Sequence, residues 1–122
     1  PITTDYSSAK LFLQTIDTDI VPVQGTAIGT AIDLAVKSFT PESETSKAII
    51  VITDGENHQD DAIVAAGKAR EKGIYVHTIG MGLAQGAPIP ERSRPGEYMK
   101  DGKGDVVISR LDEETLKAIA KS

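Results

Sequence analysis

The chain has 122 residues, enough for one domain that buries roughly two-thirds of the surface its unfolded form exposes. Eighteen acidic against thirteen basic residues give a net charge of -5, which argues against nucleic acid, since binding phosphates needs a basic face; Lys103, Arg92 and Arg94 make no sufficient patch. Cysteine is absent, which excludes disulfides, thiolate zinc sites and cysteine nucleophiles. No apolar run approaches the roughly 18 residues of a spanning helix, so direct membrane insertion by this segment is not expected, and no secretory signal opens the chain. The opening Pro1-Ile2-Thr3 lacks a methionine and reads as cut from something longer.

Asp5 is placed to cap a helix whose apolar residues Ala9, Phe12, Leu13 and Ile16 recur at helical spacing. Asp17 to Pro22 read as a connection. Gly25-Thr26 then opens a second helix, with Ile28, Ala31, Ile32, Ala35 and Phe39 on one face. Thr40-Pro41-Glu42-Ser43-Glu44 is polar punctuation. The run Ala48-Ile49-Ile50-Val51-Ile52-Thr53 follows, continuous and β-branched, as expected of a parallel strand buried on both faces. It ends in Asp54-Gly55-Glu56. Ligands of open α/β sheets sit just beyond the carboxyl ends of such strands, so Asp54 is the first candidate for chemistry.

Residues 60 to 72 return to helical spacing, acidic at the start (Asp60, Asp61) and basic at the end (Lys68, Arg70, Lys72), which complements the helix dipole. The inner face is predicted to be small: Ala62, Ala66 and Ala69 beside Ile63. Gly73 can end the helix in a left-handed conformation. Ile74 to Ile79 is the second strand, and strand–helix–strand over about thirty residues predicts a parallel pair with a right-handed crossover. Gly80 to Gly96 reads as a long irregular loop. Beyond it, 97–100 and 105–109 flank Asp101-Gly102-Lys103-Gly104, a hairpin signal. A final helix is capped by Asp112, with Leu111 placed to pack on Leu116.

Several motifs fail on their spacing. Gly80-Met81-Gly82-Leu83-Ala84-Gln85-Gly86 is one residue too long for a dinucleotide fingerprint, and Ala87-Pro88-Ile89-Pro90 follows instead of a helix. Asp54, Glu56, His58 and Asp60 alternate like a calcium loop, yet the turn position is Gln59 and the closing position Ala65. His58 and His77 belong to no zinc-binding pair, His77 reads as a core or sheet-face residue, and no GxSxG elbow is present. Thr26 and Asp54 remain. Both lie on loops that emerge at one end of a parallel sheet, where a hydroxyl and a carboxylate suit a hard cation such as Mg²⁺. Two simple caps, Thr26 on its helix and Asp54 on the next, would explain the same residues.

Gly25-Thr26-Ala27-Ile28-Gly29, Thr53-Asp54-Gly55-Glu56 and Ile79-Gly80-Met81-Gly82 resemble the von Willebrand factor A domain. More narrowly, Val23 to Gly29, Ile52 to His58 and Gly86 to Pro90 look like the Bacteroides aerotolerance (Bat-type) proteins. The resemblance spans essentially the whole chain, 1–122, as a partial domain. It implies a doubly wound, mostly parallel α/β sheet with helices on both faces, truncated at the N-terminus, with an extra β-hairpin near 97–109. It also implies a metal-ion-dependent adhesion site, to which Thr26 and Asp54 correspond. The family's Asp-x-Ser-x-Ser segment has no counterpart; Asp5-Tyr6-Ser7-Ser8 has the wrong spacing, so Mg²⁺ is expected to bind this chain weakly or not at all.

The function so implied is a metal-dependent protein-binding module, not an enzyme. Its partner would present a carboxylate to the cation, and its membrane-anchored parent would expose it on the periplasmic or extracytoplasmic side. A Mg²⁺-dependent nucleotide- or phosphate-handling α/β enzyme fragment is the alternative, and a purely structural piece a third. Self-association through the strand at 48–53 is expected, because the family's sheet order leaves that edge unpaired here.

Overall fold

A computed structural model describes residues 3–17, 20, 26–40, 45–56, 61–91 and 93–122. The elements are α1 (Tyr6–Gln14), α2 (Ile28–Ser38), β1 (Lys47–Thr53), α3 (Ala62–Glu71), β2 (Ile74–Gly80), β3 (Ala87–Pro88), β4 (Ile108–Ser109) and α4 (Glu113–Lys121). Strands β1 and β2 pair in parallel from Lys47 opposite Ile74 to Thr53 opposite Gly80. The predicted βαβ unit is therefore present, and the chain is an α/β fold with a parallel sheet.

Local chemistry sets most boundaries. Asp5 accepts from the Ser7 and Ser8 amides and begins α1; Asp61 accepts from Val64 and begins α3; Asp112 accepts from Thr115 and begins α4. Each carboxylate satisfies amides that the first turn leaves without an intrahelical partner. Gly73 ends the α3 region at φ +72°, the left-handed conformation expected of it.

Helices α2, α3 and α4 share one core with one side of the sheet. Ile28 and Ile32 of α2, Ala62, Ala65, Ala66 and Ala69 of α3, Ile74 and Val76 of β2 and Ile119 of α4 are all buried there, backed by Ile49 and Val51. The alanine face of α3 lets its backbone approach both neighbours. Ile63, expected on that face, is 46% exposed instead, because Ala65 takes the inward position. Ala31 likewise points outward from α2.

The other side of the sheet differs from expectation. The run 48–53 was expected to be buried on both faces, but Ile50 and Ile52 are 61% and 65% exposed. Tyr75, His77 and Ile79 continue that open face on β2. Among the described residues every helix of the core lies on the opposite side, so alternate residues of these strands have nothing to pack against. Helix α1 has no buried residue either; Leu11 and Leu13 stand in solvent.

The stretch after β2 is more ordered than the irregular loop expected. Ala87 and Pro88 pair with Ser109 and Ile108, and the predicted hairpin closes through Asp101 to Asp105 with Lys100 opposite Val106. Three backbone hydrogen bonds join the segments in a ring: Ile89 N–H to Val107 O (3.2 Å), Val107 N–H to Met99 O (2.9 Å) and Met99 N–H to Ile89 O (2.8 Å). The result is a small three-cornered β unit over 86–109.

Candidate functional site at the carboxyl end of the sheet

The two ends of the sheet can be told apart by what lines them. Val36, Lys37 and Phe39 from the end of α2, Lys47 from the start of β1, and Lys72 and Ile74 from the junction of α3 and β2 surround one cavity of about 380 Å³. The ends of α2 and α3 thus meet the starts of the strands. Thr26, just before α2, accordingly lies toward the opposite end, where β1 delivers Asp54.

Neither residue acts as the helix cap that would have explained it away. The cap position of α2 falls on Ala27, and that of α3 on Asp61. Asp54 is partly buried and folds back on its own loop, with Oδ1 accepting from the Glu56 amide at 3.2 Å. Its Oδ2 accepts from the Ser109 hydroxyl at 2.8 Å, and its backbone carbonyl accepts from the Asp112 amide at 2.8 Å. Glu56 is drawn to the same segment, its Oε1 accepting from the Arg110 amide at 3.3 Å.

Two glycines make this closeness possible. Gly55 has φ +89°, and a Cβ there would stand 2.6 Å from the Asp112 carbonyl oxygen. Gly86 has φ +88°, and a Cβ would meet Ile108 Cγ2 at 2.8 Å and Arg110 Cγ at 2.9 Å. Both conformations and both approaches demand glycine. Gly86 thus serves to admit the 108–110 strand, in keeping with the failed dinucleotide spacing.

Ser109 was not among the candidates read from the sequence. It lies 55 residues after Asp54 at the end of a hairpin strand, and no local motif marks it. His77 sits on the open sheet face, away from this loop by its place in the strand; His58 and Asp60 lie outside the described residues. Among the described residues no group of three or more histidine, aspartate or glutamate side chains is gathered for a metal. The oxygen donors that the sequence offers toward this end of the sheet are the Thr26 hydroxyl and the Asp54 carboxylate. These suit a hard cation in kind, and the remaining positions would fall to water or other oxygens.

Solved structures of two proteins resemble this one. Protein BatB from Bacteroides thetaiotaomicron is 51% identical with a TM-score of 0.93, covering 99% of this chain and 58% of its own. An aerotolerance-related membrane protein from Bacteroides fragilis is 48% identical with a TM-score of 0.92, covering 99% of this chain and 59% of its own. This chain therefore spans a little under three-fifths of either relative. No curated protein matches it. The family profile of the von Willebrand factor type A domain matches residues 2–121. The chain belongs to the von Willebrand factor type A domain family.

Proposed function

We propose that this chain is part of a metal-ion-dependent protein-binding module, of adhesion type, in an aerotolerance-related protein. The observation that carries the reading is the Asp54 carboxylate. It stands at the carboxyl end of a parallel strand, partly buried, and caps no helix. Thr26 is its counterpart on the preceding loop, displaced from the cap of α2 by Ala27. A bound divalent cation such as Mg²⁺ supplies an open coordination position that a partner protein's carboxylate can fill. Thr26 would hold the cation directly, and Asp54 directly or through water.

One hydroxyl and one carboxylate are a poor hold for Mg²⁺, which dehydrates reluctantly. In this reading the remaining ligands come from outside the described residues. The name of the Bacteroides fragilis relative, a membrane protein, supports membrane association of the whole protein, and an extracytoplasmic placement is part of the proposal. No helix among the described residues is long and apolar enough to cross a membrane.

The test is capture of a protein partner by the domain extended to the relatives' length. Capture that EDTA reverses, and that Thr26→Ala and Asp54→Ala each abolish, is the expected result. Capture indifferent to EDTA or to both substitutions would reject the reading.

A further inference from the structure

Three features outside the pair Thr26–Asp54 stand out: the lysine-lined cavity at the far end of the sheet, the open apolar face, and the three-cornered β unit. The cavity has Lys37, Lys47 and Lys72 at the carboxyl ends of α2 and α3 or the start of β1. Cations placed near helix carboxyl ends already answer the helix dipoles, and nothing further points to a ligand. The β unit carries more, because it reaches the candidate site through a side chain.

We propose that Ser109 is a positioning residue for Asp54, held in place by the three-cornered β unit, so that the carboxylate presents its remaining lone pairs to a cation. This rests on the cation reading above. The register of β3 with β4 sets Ser109 opposite Ala87, and the ring of Ile89, Met99 and Val107 locks that register from behind. Ser109 thereby donates its hydroxyl to Oδ2 at 2.8 Å, while the Glu56 amide donates to Oδ1 at 3.2 Å. Each carboxylate oxygen has two acceptor sites, so one remains on each after these bonds.

A carboxylate fixed at both oxygens loses its freedom about the terminal torsion before a cation arrives. Hydrogen-bonding partners of metal-binding side chains commonly change metal affinity 10- to 100-fold when removed. The backbone bonds from Asp112 N–H to Asp54 O and from Arg110 N–H to Glu56 Oε1 do not involve the Ser109 hydroxyl. They should persist when that hydroxyl is removed, which separates positioning from folding.

The experiment is a Mn²⁺ titration of the domain extended to the relatives' length, followed by amide NMR, where paramagnetic broadening detects even millimolar binding. Native protein should broaden first at Asp54, Gly55 and Thr26. Ser109→Ala should keep the amide spectrum and lower the melting temperature by only a few degrees while raising the Mn²⁺ midpoint about tenfold, and Ser109→Thr should restore the midpoint. An unchanged midpoint in Ser109→Ala, with broadening still lost in Asp54→Ala, would overturn the positioning role alone. No localised broadening in native protein, or broadening that survives Asp54→Ala, would overturn the cation reading and the role together.

Discussion

The two faces of the β1–β2 sheet are built from the same kinds of residue and meet different fates. On one, Ile49, Val51, Ile74 and Val76 lie against three helices; on the other, Ile50, Ile52, Tyr75 and Ile79 stand open. Side chains alternate across a strand, so a single run such as Ile-Ile-Val-Ile supplies both faces at once. Its composition is that of a strand covered on both sides. The described residues cover one, and about two-fifths of the length of either solved relative lies outside its match with this chain. An apolar face that the described residues leave bare therefore marks where packing energy is still to be gained.

If that contrast is right, equal truncations on the two faces will cost unequal amounts. Ile32→Ala or Ile119→Ala, each removing a side chain only 1% exposed, should lower stability by about 2–5 kcal/mol in urea unfolding. Ile50→Ala on the open face should stay within about 0.5 kcal/mol, as surface substitutions do. Similar losses from both would mean that the open face is covered in solution.

The same strand also has an open edge, which a second copy could pair without covering the face. The edge of β1 away from β2 has no strand partner among the described residues, and no charge or proline between Ala48 and Thr53 discourages pairing. Two copies joined there about a two-fold axis would be antiparallel at the join. Light scattering should detect self-association, and Ile50→Lys with Ile52→Lys should reverse it. A native chain that stays monomeric at high concentration would refute the idea.

At the carboxyl end of the sheet the effects on folding should be smaller. Asp54→Ala removes two hydrogen bonds of a partly buried group and should cost about 1–2 kcal/mol. Thr26→Ala should cost less, within about 0.5 kcal/mol. A loss beyond about 4 kcal/mol from either would make the residue a structural element and weaken its claim as a ligand.

The smallest expected effect concerns pH. The Thr115 hydroxyl, and then its amide, hold the Asp112 carboxyl below its ordinary 3.8. A lowered carboxyl stabilises the fold above its unfolded value and loses that contribution as pH falls through the folded one. Asp112→Asn keeps the cap, so its unfolding midpoint should vary less than the native protein's as pH falls below 3.8. An identical pH response would show that the Asp112 charge contributes nothing measurable.

How much of this was legible in the sequence followed distance along the chain. Caps at Asp5 and Asp112, the parallel strands and the Asp101–Asp105 turn depend on neighbours and are legible in the sequence, whereas Asp61, expected inside the first turn of its helix, is its cap. The β unit was missed in part because its pairings join 87–89 to residues up to 22 positions away, and because Pro88 and Pro90 argue against a strand. Pro88 fits because its strand is two residues long, at an edge. Asp54 was visible as the end of an apolar run, whereas Ser109 could be found only by folding the chain. The open face was hidden for the opposite reason: the run says what the strand can bury, and only tertiary structure says what is there to bury it.

The most direct test of the central claim compares Mn²⁺ binding by titration calorimetry in two lengths of protein. The 122-residue chain should bind weaker than about 100 μM, within the range of sparse oxygen sites. The domain extended to the relatives' length should bind one equivalent more tightly, with the gain lost in Asp54→Ala and reduced in Thr26→Ala. Tight binding by the short chain, or binding by the extended domain that survives Asp54→Ala, would contradict the account.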